Sequence, residues 1–207
     1  MPNQDRCRVQ GRKELVGNTL MNYIALDLEM NQPSNKIIEV GVAIGNITDG
    51  IITTKNWYID PKESIEEYIT NLTGISNHTI AETSSSIEDV ARDLSELILK
   101  YNCFVNAVTW GQGDTRLLLQ EFKENNVNFP HFGRRDLDIK TICVYHRLAQ
   151  ERKTTGGLSS FLHRYGLKFF GTPHRAANDA YNTLSLWFVL LKREQAIKEM
   201  ISKASII

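Results

Sequence analysis

Asp27 and Glu29 stand two residues apart in the run ALDLEM, a spacing that could do chemistry. In an extended chain, residues i and i+2 project to the same side. Ile24, Leu26 and Leu28 then make the opposite, apolar face. Two carboxylates held together beside a hydrophobic core repel each other unless a cation lies between them. Oxygen ligands of this kind suit a hard divalent ion such as Mg²⁺ or Mn²⁺. Taken alone, the pair is more simply read as a strand end entering solvent, where neighbouring acids are harmless.

Further candidates follow along the chain. Asp114 comes after CFVNAVT and the turn Trp110-Gly111-Gln112-Gly113, and it opens a helical segment. By itself it reads as an N-cap aspartate accepting backbone N–H bonds. His174 and Asp179 lie in PHRAANDAYNTLSLW. Five residues at about 100° each would set them about 140° apart on one helix. Gly171 and Pro173 predict a loop through His174 instead. His174 then sits at the mouth of a helix and Asp179 on its second turn, so both can reach one site. The competing arrangement pairs Asp179 with Arg175 at i, i+4 and leaves His174 exposed.

These side chains need elements to hold them. Residues 22–28 read as a strand with one apolar face. Residues 36–45, KIIEVGVAIG, form a second, with Ile38, Val40, Val42 and Ile44 on one side. Residues 50–59, GIITTKNWYI, form a third, β-branched and aromatic. Short connections predict an antiparallel meander of these three. Ser64 to Thr70 suits a short helix, and Ser86 opens a longer one with Val90, Leu94, Leu97 and Ile98 on one face. Residues 103–109 return to strand. A helix follows from Asp114 to Glu124, with Leu117, Leu118 and Phe122 inward. A short strand near Asp136 leads into a helix through His146. A short helix covers Leu158 to Tyr165, and a long one runs from about Ala176 to Ala196. A meander followed by alternating strands and helices predicts an α/β fold on a mixed sheet.

Composition narrows the class. The 207 residues carry 24 basic and 24 acidic side chains, a formal net charge of zero. The length suits one large domain or two small ones, and no linker or repeat divides it. Residues 1–20 read as a flexible N-terminal extension and residues 21–207 as a single domain. Three scattered cysteines argue against a disulfide framework and against a cysteine zinc site. No apolar stretch approaches the roughly 18 residues of a membrane span, so no membrane partner is expected. A reduced, cytoplasmic protein is the expectation.

In their order, the acidic segments resemble a known family. ALDLEM, WGQGDTRLL and HRAANDA are similar to the three motifs of the DEDDh (DnaQ-like) 3′–5′ exonuclease superfamily. KIIEVGVAI is similar to its second strand and NLTGISNHTI to its substrate-side segment. GGLSSFLHRYGLKFFGTPHRAANDAYNT is similar to the stretch leading into its third motif. The resemblance spans residues 21–192. WG-x-x-D followed by LDIKTI, with Asp138 and Lys140, looks more like the ERI-1/KapD-type RNA-trimming branch than like the proofreading members.

The resemblance implies a ribonuclease H-like fold with a five-stranded mixed sheet, the antiparallel meander plus two parallel strands. It implies hydrolysis of phosphodiester bonds from the 3′ end of single-stranded DNA or RNA, releasing nucleoside 5′-monophosphates. It implies two divalent ions, Mg²⁺ or Mn²⁺, held by Asp27, Glu29, Asp114 and Asp179, with Asp27 bridging them and His174 as general base. Met30 and Leu72 stand where the family contacts the terminal base, and ordinary packing explains them equally well. Glu39 and Asp138 read as structural acids on strands, and Trp110 and Tyr181 as core. A homodimer or a recruiting protein partner is compatible with all of this.

The alternative is a non-catalytic nucleic-acid-binding or scaffold protein on the same fold. It predicts loss of at least one metal-site acid, and all four acids and the histidine are present. An endonuclease of the wider ribonuclease H-like group does not suit His174 in the HRAAND context. No G-x-G-x-x-G or GK[ST] supports a nucleotide-binding enzyme. Zero net charge excludes a globally basic binder. Along the chain the balance is uneven: residues 21–130 carry −9 and residues 131–175 carry +6. The basic stretch, with Arg152 and Lys153, is expected to track a phosphate backbone.

Overall fold

The computed structural model describes residues 20–204. Residues 1–19, on which the expected N-terminal extension falls, lie outside the described residues. Strands β1 (Tyr23–Met30), β2 (Ile37–Asn46) and β3 (Gly50–Ile59) form the expected antiparallel meander. Two short parallel strands extend it beyond β1: β5 (Val108–Thr109) and β6 (Leu137–Asp138). The sheet has six strands, not five: with β4 (Ser84–Ser85) the order is β4-β3-β2-β1-β5-β6. The additional strand, β4, pairs parallel with Tyr58 and Ile59 on the far edge. Two serines carry little strand propensity, so nothing local announces them; β3 supplies the pairing.

Alternation sorts β1 and β2 between two cores. Ile24, Leu26, Leu28, Val40, Val42 and Ile44 pack under α3 (Ile87–Lys100) and α4 (Asp114–Glu124). The other face offers Ala25 and Ala43, with Gly41 between β1 and β3. It is covered by α5 (Ile139–Glu151), α6 (Leu158–Arg164) and α7 (Ala176–Ala204). Small side chains there let a helix come close to the sheet. Ile38 departs from its expected partners and packs with Ile65, Ile69, Ile75 and Ile80, under α1 (Glu67–Thr73) and α2 (Asn77–Thr83).

Three other expectations shift. The first short helix begins at Glu67 rather than Ser64. Buried Asn31 accepts from the Glu66 N–H (3.0 Å) and donates to the Ser64 carbonyl (3.0 Å), and Asn77 accepts from the Ile65 N–H (2.8 Å). Those side-chain bonds hold the backbone out of the helix. The strand expected over 103–109 is regular only at Val108–Thr109, with one bridge further back between Asn22 and Cys103. Between them the backbone turns away to accept the Gly133 N–H on the Val105 carbonyl. The last helix runs to Ala204, past the expected end. Among the described residues no helix is long and apolar enough to cross a membrane.

Candidate active site

β1 carries Asp27 and Glu29 on the face away from the Leu26 core, at the strand's C-terminal end. α7 meets that face with its first turn, and Asp179 points back toward the strand. One carboxylate oxygen each from Asp27, Glu29 and Asp179 lies within 4.8 Å of the others. The three half-buried acids line a cleft of ≈ 400 Å³ with His174, Pro173, Trp110, Phe169 and the start of α6. Asp114 is the first residue of α4; Gly113 is the N-cap, so Asp114 is not spent on capping. It stands outside the close trio yet near enough to raise the pKa of Asp27.

The electrostatics are those of buried acids crowded together. Burial holds Asp27 well above the usual carboxylate range, and the charges of Asp114, Asp179 and Glu29 add to it. Glu29 is pushed up to about 8 by burial, then by Asp179 and Glu39, with Arg175 opposing. Asp114 rises to about 6, from burial and from Asp136 and Asp138. Asp179 is raised by burial, and the Arg175 and His174 backbone N–H groups pull against that. Four carboxylates shifted upward together are what a divalent cation would neutralise. The donor set, all oxygen and close together, fits a hard ion.

His174 is exposed at the cleft mouth in a left-handed conformation, φ +60°. The loop expectation therefore holds, and both His174 and Asp179 reach one cleft. The i, i+4 ion pair of Arg175 with Asp179 does not form. Asp179 accepts the Arg175 backbone N–H at 3.2 Å, while the guanidinium turns to Glu39. Met30 and Leu72 are not among the residues lining the cleft; Leu72 is exposed on α1.

The structural readings of Glu39 and Asp138 hold. Asp138 caps α5 by accepting the Thr141 N–H and also takes the Gly111 N–H at 3.1 Å. It thereby fixes the glycine turn that leads to Asp114. Trp110 packs against Phe161 as expected, yet it also lines the cleft, and sequence reasoning missed that side of it. Tyr181 is half-buried: it packs against the core beneath α7, as expected, and also stacks on exposed Phe170. Phe169 and Ser159 in the cleft were missed too, since only the loop path around Gly171 and the entry into α6 bring them there.

The profile of the RNase T exonuclease family matches residues 24–187. The chain belongs to that family. The same exonuclease membership is reflected in a curated relative, the probable 3′–5′ exonuclease KapD of Bacillus subtilis (strain 168). It is 27% identical over 193 residues, covering 87% of this chain and 90% of the relative. Among solved structures, the nuclease domain of 3′hExo, a DEDDh family member bound to rAMP, superposes with a TM-score of 0.71. It is 18% identical and covers 85% of this chain and 94% of that one. A 3′-exonuclease described for 3′-end-specific recognition of a histone mRNA stem-loop gives a TM-score of 0.71 at 18% identity, over 86% and 84%. The expected exonuclease family is thereby borne out, and so is the fold, which the chain shares with a DEDDh family nuclease, with six strands in place of five.

Proposed function

We propose that the protein is a metal-dependent 3′–5′ exonuclease that removes nucleoside 5′-monophosphates from single-stranded 3′ ends. The observation that carries this reading is the meeting of Asp27, Glu29 and Asp179 within 4.8 Å, in a cleft that His174 also lines. Asp27, Glu29, Asp114 and Asp179 would hold two divalent ions, Mg²⁺ or Mn²⁺. Such ions supply Lewis-acid stabilisation of the phosphate charge and a more acidic water. His174 takes the proton of the attacking water, a role that needs the neutral imidazole. Trp110 and Phe169 form the apolar wall on which a base can rest. Met30 and Leu72 are the residues we assign to contact with the terminal nucleotide, on the resemblance of their segments to the family's substrate side.

WG-x-x-D and LDIKTI favour RNA over DNA as the working substrate, while neighbours of the same fold are described with both RNA and DNA. We take residues 21–207 as one exonuclease domain. A cytoplasmic location suits the unpaired Cys103 and Cys143. The test is hydrolysis of a labelled single-stranded oligonucleotide with Mn²⁺. Asp27→Ala and Asp179→Asn are expected to abolish hydrolysis while leaving thermal unfolding cooperative. Full activity of either folded variant would refute the assignment.

A further inference from the structure

Glu29, Glu39 and Tyr58 form a row across three strands: Glu29 is opposite Glu39 in β1–β2, and Glu39 is opposite Tyr58 in β2–β3. Glu39 is only 1% exposed and is not among the residues that line the cleft. A buried carboxylate needs partners for its lone pairs. Glu39 has four. The Arg175 guanidinium donates through Nε at 3.3 Å and Nη2 at 3.1 Å, the Ala176 backbone N–H at 3.0 Å and the Asn56 amide at 2.8 Å. Arg175 Nη2 also donates to the Tyr58 hydroxyl.

Two of those partners, Arg175 and Ala176, directly follow His174 in the chain. The first turn of α7 is also seated on β2 itself. A Cβ added at Gly41 would overlap the backbone carbon of Ala176 and the nitrogen of Ala177. His174 occupies the left-handed region, which is unfavourable for a non-glycine residue and persists where its surroundings over-determine it. Bonds on both sides do so. Behind it, the Asn178 amide donates to the Thr172 carbonyl at 3.0 Å. Ahead of it stands the Glu39 cluster.

We propose that Glu39 is a positioning residue: through Arg175 and the Ala176 N–H it holds His174 in the orientation that proton abstraction needs, without touching the substrate. Stability alone does not call for a carboxylate here, because apolar side chains can replace a buried ion pair at little or no cost in stability. What the carboxylate adds is direction. Its hydrogen bonds tie one turn of α7 to one register of the sheet.

The proposal rests on His174 acting as general base, so the test is a double-mutant cycle in the full chain. Wild type, Glu39→Gln, His174→Ala and the double variant are assayed with Mn²⁺ on a single-stranded oligonucleotide, with kcat and KM read separately. His174→Ala is expected to lower kcat by about 10²–10⁴. Glu39→Gln is expected to lower kcat by about 10–100-fold with KM nearly unchanged, the scale of a misplaced catalytic group. The double variant should be no slower than His174→Ala, because Glu39 acts through that side chain. Independent, multiplying losses would overturn the proposal, as would unchanged kcat in Glu39→Gln. Wild-type activity in His174→Ala would remove the general-base reading itself and the proposal with it. Should Glu39→Gln not fold, Arg175→Lys takes its place in the same cycle. It keeps the cation and loses the two-pronged contact. The same coupling is expected, and multiplying losses would again overturn the proposal.

Discussion

At the scale of single residues, the site is a problem of charge. Glu29 would ordinarily titrate near 4.5 and is pushed up to about 8 in the fold, and burial also holds Asp27 well above the usual carboxylate range. Between those two pH values the folded, metal-free protein binds more protons than the unfolded chain. By linkage, stability falls as pH rises through that window. The metal-free protein is therefore expected to melt lower at about pH 8 than at about pH 5.5, and the fall should shrink in Asp27→Asn. Mn²⁺ should raise Tm more at the higher pH, because protons compete for the same oxygens at the lower one. Differential scanning calorimetry in EDTA and in Mn²⁺ reads both effects, and a metal-induced shift equal at the two pH values would contradict them. Acids at strand spacing (Asp27, Glu29) and a histidine before a helix (His174) were visible as local patterns, but only the order of the three acidic segments, by resemblance, joined them with Asp114 and Asp179 into one set. Trp110 in the cleft wall and the turn of Arg175 toward Glu39 were not visible. Each depends on which way a side chain points across a packed interface, and no sequence period encodes that.

Elements explain why the acids meet at all. β1 sets Asp27 beside Glu29, and α7 brings Asp179 to them because its first turn sits on Gly41. Adding one methyl group there leaves no room except by moving the helix. Gly41→Ala is expected to destabilise the fold by about 3 kcal/mol or more, the upper range for overpacking. It should reduce activity even where the protein remains folded, since Asp179 and His174 move with the helix. Denaturant unfolding alongside an activity assay checks this, and a stable, fully active Gly41→Ala would show that the close seating is not required. The meander was readable from alternation, and α3, α4 and α6 from their apolar stripes. β4 and α2 were not readable. A two-residue strand leaves too short a pattern, and α2 buries only Ile80 and so shows no apolar stripe, whereas α6, of the same length, buries Leu158, Phe161 and Leu162. The delayed start of α1 has its origin in Asn31 and Asn77 bonds from distant segments.

Over the whole molecule, neutrality is a sum of unlike parts. The acidic part supplies Asp27, Glu29 and Trp110 to the cleft, and the basic stretch of residues 131–175 supplies the wall from Gly157 to Ser159 together with Phe169, Pro173 and His174. The structure divides that stretch. Arg147 and Arg164 pair with Glu151, and Arg175 pairs with Glu39. Arg152 and Lys153 are exposed at the end of α5, shortly before Gly157 and Ser159 in the cleft wall. Among the described residues neither is in a salt bridge. Reversing both charges is expected to weaken oligonucleotide binding and to flatten its dependence on salt by about one unit of slope per lost phosphate contact. Fluorescence anisotropy across a salt series measures this, and an unchanged slope would move the phosphate track elsewhere. The direction of digestion tests the account as a whole most directly. A 5′-labelled single-stranded RNA and a circular RNA of the same sequence are incubated with the protein and Mn²⁺, and product lengths are resolved over time. The expected result is a ladder that shortens stepwise from the 3′ end with nucleoside 5′-monophosphates released, while the circle stays intact. Cleavage of the circle, or immediate release of the 5′-label as a mononucleotide, would contradict a 3′–5′ exonuclease built on Asp27, Glu29, Asp114, His174 and Asp179.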